Sequence, residues 1–249
     1  VVDPNAKRYK TWYGTPTDEK IITRRANVHY DKIQIDRDIA NEINWANSTE
    51  WRVDDDYADF MLDLVRFRDP RGNVKLYDDL NGVRQIVIQR GEAGLGLMQT
   101  VKWHKDRGKT FTNTHQIDSR GRIYAQGYLT PTGGEFVRPF LNTGKSSSLG
   151  RDGYFAFQEQ VGSLLGPTSK ALTNEGRFEI FRDNGPALLD LGEKILAKTQ
   201  RDRRIREVLQ HPLVTALDAE EHPKLMRYAL EYARIYRHTN GNMNDFDRI

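Results

Sequence analysis

The spacing of apolar residues sets the first constraint on this chain. Across residues 53–65, and again from Tyr154 to Ile235, they recur at helical intervals, whereas between Thr110 and Leu129 they alternate. Such a pattern predicts amphipathic helices around a strand-turn-strand insert, an α+β protein that is predominantly helical. Tyr57, Phe60, Met61, Leu64 and Val65 fall at i, i+3, i+4, i+7 and i+8. Asp54, Asp55 and Asp56 precede that stripe, where a cap and an acidic first turn would meet the positive end of the helix dipole. Three carboxylates could instead hold a divalent metal, as in a metal-dependent nuclease.

Asp69-Pro70-Arg71-Gly72-Asn73 reads as a turn. Gly91, Gly94 and Gly96 are in the wrong order for a dinucleotide-binding loop and predict a flexible helix start, with a short helix over Leu97 to Lys105. In the alternating stretch, Phe111, Asn113, His115 and Ile117 oppose Thr112, Thr114 and Gln116. Beyond Ser119-Arg120-Gly121-Arg122, Ile123, Ala125, Gly127 and Leu129 oppose Tyr124, Gln126 and Tyr128. Two period-2 runs about a glycine turn predict paired strands, closed by Thr130-Pro131-Thr132-Gly133-Gly134. Tyr154, Phe157, Val161 and Leu164 share a helix face. Asn184-Gly185-Pro186 predicts a helix start with proline in the first turn, ahead of a core stripe of Leu188, Leu191 and Ile195. Pro223 predicts the opening of a last helix with the stripe Leu225, Tyr228, Ala229, Tyr232 and Ile235. Residues 1–35 read as an irregular, extended wrapping segment.

Composition narrows the class. The hydrophobic fraction is 37% and the mean hydropathy −0.73, low for a self-contained globule, yet 11 tyrosines, 10 phenylalanines and 4 tryptophans are too many for a disordered chain. A folded protein with a large polar surface, or one sharing a face with a partner, fits both. The net charge of +3 comes from 38 basic and 35 acidic residues, which excludes a polycation but permits a focused basic groove. Without cysteine, disulfides and thiolate metal sites are excluded. No uncharged stretch approaches the roughly 20 residues of a membrane span, so no membrane insertion is expected and the expected location is cytoplasmic.

The segment Asp118-Ser119-Arg120-Gly121-Arg122-Ile123-Tyr124 is the richest in chemistry. A glycine lets backbone approach a sugar-phosphate chain, and guanidinium forks give paired, charge-assisted bonds to phosphate oxygens. Asp118 would orient an arginine or cap the turn, and Tyr124 would add a stacking or hydroxyl contact. An ordinary surface hairpin with an Asp–Arg pair is the plainer reading of the same residues.

This segment, followed by Thr130-Pro131-Thr132-Gly133, Gly144-Lys145 and Gly150-Arg151-Asp152-Gly153-Tyr154, resembles the single-subunit, phage-type RNA polymerases, which include the mitochondrial enzymes. That family carries an Asp-x-x-Gly-Arg motif, an aromatic strand, a Pro-x-Gly turn and a Gly-x-x-Gly-Tyr helix start in this order. Upstream, Ile43-Asn44 and Thr49-Glu50-Trp51-Arg52-Val53-Asp54 look like the stretch that precedes the family's thumb. Downstream, Arg177-Phe178-Glu179-Ile180-Phe181 and Leu225 to Tyr232 resemble the helices before its catalytic motif, so the likeness spans roughly residues 40–237. It implies the palm portion of a right-hand polymerase over residues 109–249, a shortened thumb over 75–108 and a reduced N-terminal region over 1–74. Carried over by position, Arg122 matches the motif arginine that contacts nucleic acid, with Arg120 and Tyr124 beside it. Arg138 stands where the family places a lysine facing the hybrid, Lys145 joins the nucleic-acid contacts, and Asp118 and Gly121 orient the motif. Lys170 matches a lysine near the incoming nucleotide's phosphates.

The same resemblance implies what this chain does not supply. The family's chemistry needs two aspartates holding Mg²⁺, the first in an Asp-x-Ser-x-Ser-Gly segment after the helix matched by Leu225 to Tyr236. Here the sequence runs to Asn244-Asp245-Phe246-Asp247-Arg248-Ile249, where Asp245 and Asp247 lack the Ser-Gly context. The expectation is therefore the smaller subunit of a heterodimeric phage polymerase in the cytoplasm of an infected bacterium. A larger subunit would supply Mg²⁺, its aspartates and the fingers, and the assembly would bind template DNA, RNA product and nucleoside triphosphates. A piece of one longer polymerase would present the same residues. The curtailed promoter region implies a preference for single-stranded or pre-melted template. From a different class, a stand-alone nucleic-acid-binding regulatory protein is the alternative.

The remaining features weigh less. Gly144-Lys145-Ser146 is no phosphate loop, because Pro139 stands where its first glycine should be. Lys198, Arg201, Arg203, Arg204 and Arg206 read as a solvated basic face, with nucleic-acid contact the alternative, and His104, His115 and His238 show no metal spacing.

Overall fold

The computed structural model describes residues 37–66, 92–117, 122–166, 173–198 and 200–245. Within them lie α1 (Arg37–Ser48), β1 (Trp51–Val53), α2 (Asp55–Arg66), α3 (Glu92–Arg107), β2 (His115–Ile117), β3 (Ile123–Ala125) and β4 (Leu141–Thr143). These are followed by α4 (Gly150–Leu165), α5 (Asn174–Leu196), α6 (Arg201–Leu209), α7 (Pro212–Thr215) and α8 (His222–His238). The architecture is α+β and predominantly helical. No described helix is long and apolar enough to cross a membrane.

The predicted stripes become the core. Tyr57, Phe60, Met61 and Leu64 of α2, Leu188, Leu191 and Ile195 of α5, and Leu225 and Ala229 of α8 are all at most 1% exposed. Leu97, Met98 and Val101 of α3 belong to the same apolar cluster. α5 and α8 form its central pair, and glycine sets how closely they approach. A Cβ at Gly192 would lie 2.0 Å from the Ala229 carbonyl oxygen. A Cβ at Gly162 of α4 would lie equally close to the Arg177 carbonyl oxygen of α5. Aromatic edges lock the three helices. Phe181 meets Tyr232 at 5.2 Å and Phe157 meets Tyr228 at 5.8 Å, both nearly perpendicular.

Two of the predicted boundaries differ. Pro186 does not start a helix but lies inside α5, which begins at Asn174 behind Thr173, whose Oγ1 accepts from the Gly176 N–H at 3.2 Å. Gly185 explains the tolerance. Proline normally disfavours the helical conformation of the residue before it through that residue's Cβ, and glycine has none. The second difference is α3, which runs from Glu92 to Arg107, so Gly94 and Gly96 are helical rather than a flexible lead-in.

The strands are shorter than the alternation suggested. β2 and β3 pair antiparallel only over His115↔Ala125 to Ile117↔Ile123. Before them, Phe111 exchanges backbone hydrogen bonds with Trp51 at 2.8 Å, and the Asn113 amide donates to the Leu129 carbonyl at 3.0 Å. After them, Gly127 takes φ +109°, open to glycine alone, and ends the strand. A second pair escaped the periodicity, β1 against β4, with Arg52 opposite Asn142. Three-residue strands are too short to show a period of two.

Candidate nucleic-acid interface

The β2–β3 pair is anchored through its first strand. His115 is buried, and its Nδ1 lies 2.9 Å from the Asn47 side-chain oxygen on α1. An amide oxygen only accepts, so Nδ1 carries the hydrogen. Burial pushes the imidazole pKa down and keeps the ring neutral. From this base β3 carries Ile123 and Tyr124, both exposed, with Arg122 exposed just before it. Asp118, Arg120, Gly121 and Lys170 lie outside the described residues.

The other predicted contacts sit elsewhere. Arg138 is exposed and ion-paired with Glu135, in a single 3-10 turn whose Pro139 and Phe140 are buried. Lys145 is exposed just past β4, its carbonyl accepting from Thr143 Oγ1 at 2.6 Å. Arg138 and Lys145 thus bracket β4, while Arg122 and Tyr124 occupy the other sheet.

What fixes β4 is a buried ionic cluster. Asp54 is 2% exposed. Its Oδ1 accepts from the Tyr57 N–H at 2.9 Å, capping α2 as the sequence predicted. Oδ2 accepts from Asn142 of β4 at 2.9 Å and from Arg234 of α8 at 2.6 Å, and it pairs with Arg227 at 2.6 Å. Arg227 and Arg234 also reach Glu231, and Arg234 reaches Asp56. Burial alone would raise the Asp54 pKa, but the Arg234 hydrogen bond and the charges of Arg227 and Arg234 hold it well below the usual carboxylate range. Of the three carboxylates proposed for a nuclease metal, Asp54 and Asp56 are thereby committed to guanidiniums, and Asp55 is exposed. Among the described residues no cluster of His, Asp and Glu is arranged to hold a metal ion.

Above this cluster lies an open polar depression of about 680 Å³, whose lining includes Arg52, Asp56, His104, Lys109, Thr143 and Arg234. Burial, then the nearby Arg107 charge, lowers the His104 pKa, so a neutral ring lines it near pH 7.

Sequence reasoning missed Asn142, Arg227 and Arg234. The signal available was the Arg227, Glu231, Arg234 row at i, i+4 and i+7, which has the same form as a solvated face. The basic run of α6 resolves similarly. Arg204 is buried, bonded to Asp63 of α2 and to the Ala197 carbonyl, with its guanidinium 5.6 Å from the Phe60 ring centre. Arg203 pairs with Glu207 and Arg201 with Asp202. No family model matches this chain, and no curated protein matches it.

Proposed function

We propose that this chain is the nucleic-acid-gripping part of a phage-type, DNA-directed RNA polymerase. It would act with a larger polypeptide that carries the metal aspartates and the fingers. The observation that carries this reading is the ordered motif series from Asp118 to Tyr154, with Thr49 to Asp54 upstream. Supporting it, His115 to Ile117 and Ile123 to Ala125 form an antiparallel pair, and Arg122 and Tyr124 are exposed at the start of its second strand.

In this role the Arg122 guanidinium donates to phosphate oxygens of the template or the RNA–DNA hybrid, and Tyr124 packs beside it. Arg138 and Lys145 grip further phosphates from the two ends of β4. The Asp54 cluster keeps β4 fixed to α2 and α8, so that strand and cations hold position under load. Mg²⁺ held by the partner's aspartates would supply the phosphoryl-transfer chemistry. Asp54 and Asp56 of this chain, tied to arginines, do not fit that task.

The test begins with a search of the neighbouring reading frames for Asp-x-Ser-x-Ser-Gly and co-expression of the product that carries it with this chain. In the assembled enzyme Arg122→Ala should slow elongation about ten- to a hundredfold, the value of a charge-assisted hydrogen bond or two. Heterodimer formation should be unchanged. Wild-type elongation by the mutant would exclude the assignment.

A further inference from the structure

One face of α3 has no part in the hairpin or in the Asp54 cluster. Gly96, Thr100, Trp103 and Arg107 recur at i, i+4, i+7 and i+11 and share a side of the helix, while Leu97, Met98 and Val101 enter the core. Gly96 brings no side chain of its own. The Tyr128 ring fills that place, so close that a Cβ at Gly96 would lie 2.7 Å from it. Tyr128 and Trp103 remain 51% and 49% exposed. Seven residues of helix separate their positions by about 10 Å, roughly three nucleotides at stacked spacing.

The indole is already held in place. The Arg107 guanidinium lies 3.7 Å from its centre, and the His104 ring meets its edge at 4.7 Å. His104 in turn lies 4.0 Å from Phe111. An aromatic fixed before binding loses little entropy when a ring stacks on it. Charge adds to this. Lys102, Lys105, Arg107 and Lys109 stand against Asp106 alone in this stretch, with Lys102 paired to Asp106 and Lys105 to Asp59. The neighbours on the exposed side, Gln99, Thr100 and Lys102, are polar. A protein-binding core would be depleted of charge, whereas aromatics interleaved with cations suit bases and phosphates.

We propose that Trp103 and Tyr128 form a stacking platform for unpaired bases of a single nucleic-acid strand, its phosphates held by the cations at the C-terminal end of α3. Trp103 lies on a different element from the arginine hairpin, Tyr128 just past the end of β3, and the proposal does not depend on the polymerase reading.

The test uses the full chain, labelled oligothymidylate and oligouridylate of about a dozen nucleotides, and a duplex of the same length, in fluorescence anisotropy at one salt concentration. Trp103→Ala and Tyr128→Ala should each weaken single-strand binding about tenfold and leave duplex binding unchanged. Trp103→Phe should retain most of the affinity. Trp103→Leu, apolar but unable to stack, gives the same readout as alanine should alanine disturb the fold. Tighter binding of one oligonucleotide identifies the strand as DNA or RNA, and either preference supports the platform. Undiminished binding of both oligonucleotides by the alanine and leucine variants overturns it. So does an equal loss on duplex, which would mark a charge effect. Concentration-dependent self-association abolished by Trp103→Ala would assign the face to a second copy and also overturn the proposal. Arg122→Ala, read on elongation, stands or falls separately.

Discussion

At 2% exposure a lone Asp54 carboxylate would lose several kcal/mol of hydration, and it is ionised only because Arg227, Arg234, Asn142 and the Tyr57 N–H surround it. Asp54→Asn keeps the shape and most of the cap but leaves two guanidiniums short of a charge. Urea unfolding should therefore show a loss of about 3–5 kcal/mol, the usual effect of breaking a buried pair. The pH dependence follows from the depressed pKa. An unfolded aspartate titrates near pH 4, so the cluster contributes fully above that value and is lost as pH falls towards the lower folded pKa. Between pH 5 and 3 the wild-type urea midpoint should drop more than that of Asp54→Asn, and equal slopes would show that the cluster is not what acid dissolves. The cap was legible in the sequence because it is local, Asp54 to Tyr57. Arg234, 180 residues away, was not, since a charged row on a helix has the same form whether water or a carboxylate faces it.

Helix stripes were legible element by element, since each buries one face on a common core and period 3.6 survives over ten or more residues. Boundaries were less so. Pro186 is an ordinary helix-start signal, and Gly185 together with the packing of α5 carries the helix through it, leaving the Arg182 carbonyl without its usual donor. Because Pro186 is exposed, Pro186→Ala restores that donor without opening a cavity and should raise stability by about 1–3 kcal/mol. Gly192→Ala should do the reverse. Its methyl would sit 2.0 Å from the Ala229 carbonyl, forcing α5 and α8 apart at a cost of about 3 kcal/mol. Thermal melts of the two variants, moving in opposite directions from wild type, check both. A Gly192→Ala melt at the wild-type temperature would mean that the α5–α8 approach is looser than described.

Across the whole molecule, 38 cations nearly cancel 35 carboxylates, and many of the described arginines are already spoken for by Asp or Glu. Affinity for nucleic acid cannot then come from a diffuse positive field and must come from a few aimed side chains. The salt dependence of binding should reflect this. Each phosphate neutralised contributes about 0.9 to the slope of log K against log salt on duplex and about 0.7 on single strands. A handful of contacts gives a slope of only a few units, unlike the slope near 10 of a large basic interface. Arg122→Ala should lower the slope by about one contact's worth, whereas Trp103→Ala, which removes stacking and no charge, should shift log K at every salt concentration and leave the slope unchanged. Titrations of both variants at several salt concentrations separate phosphate grip from base stacking. Parallel loss of slope in the two would place Trp103 and Arg122 in one electrostatic site rather than on two elements with different chemistry.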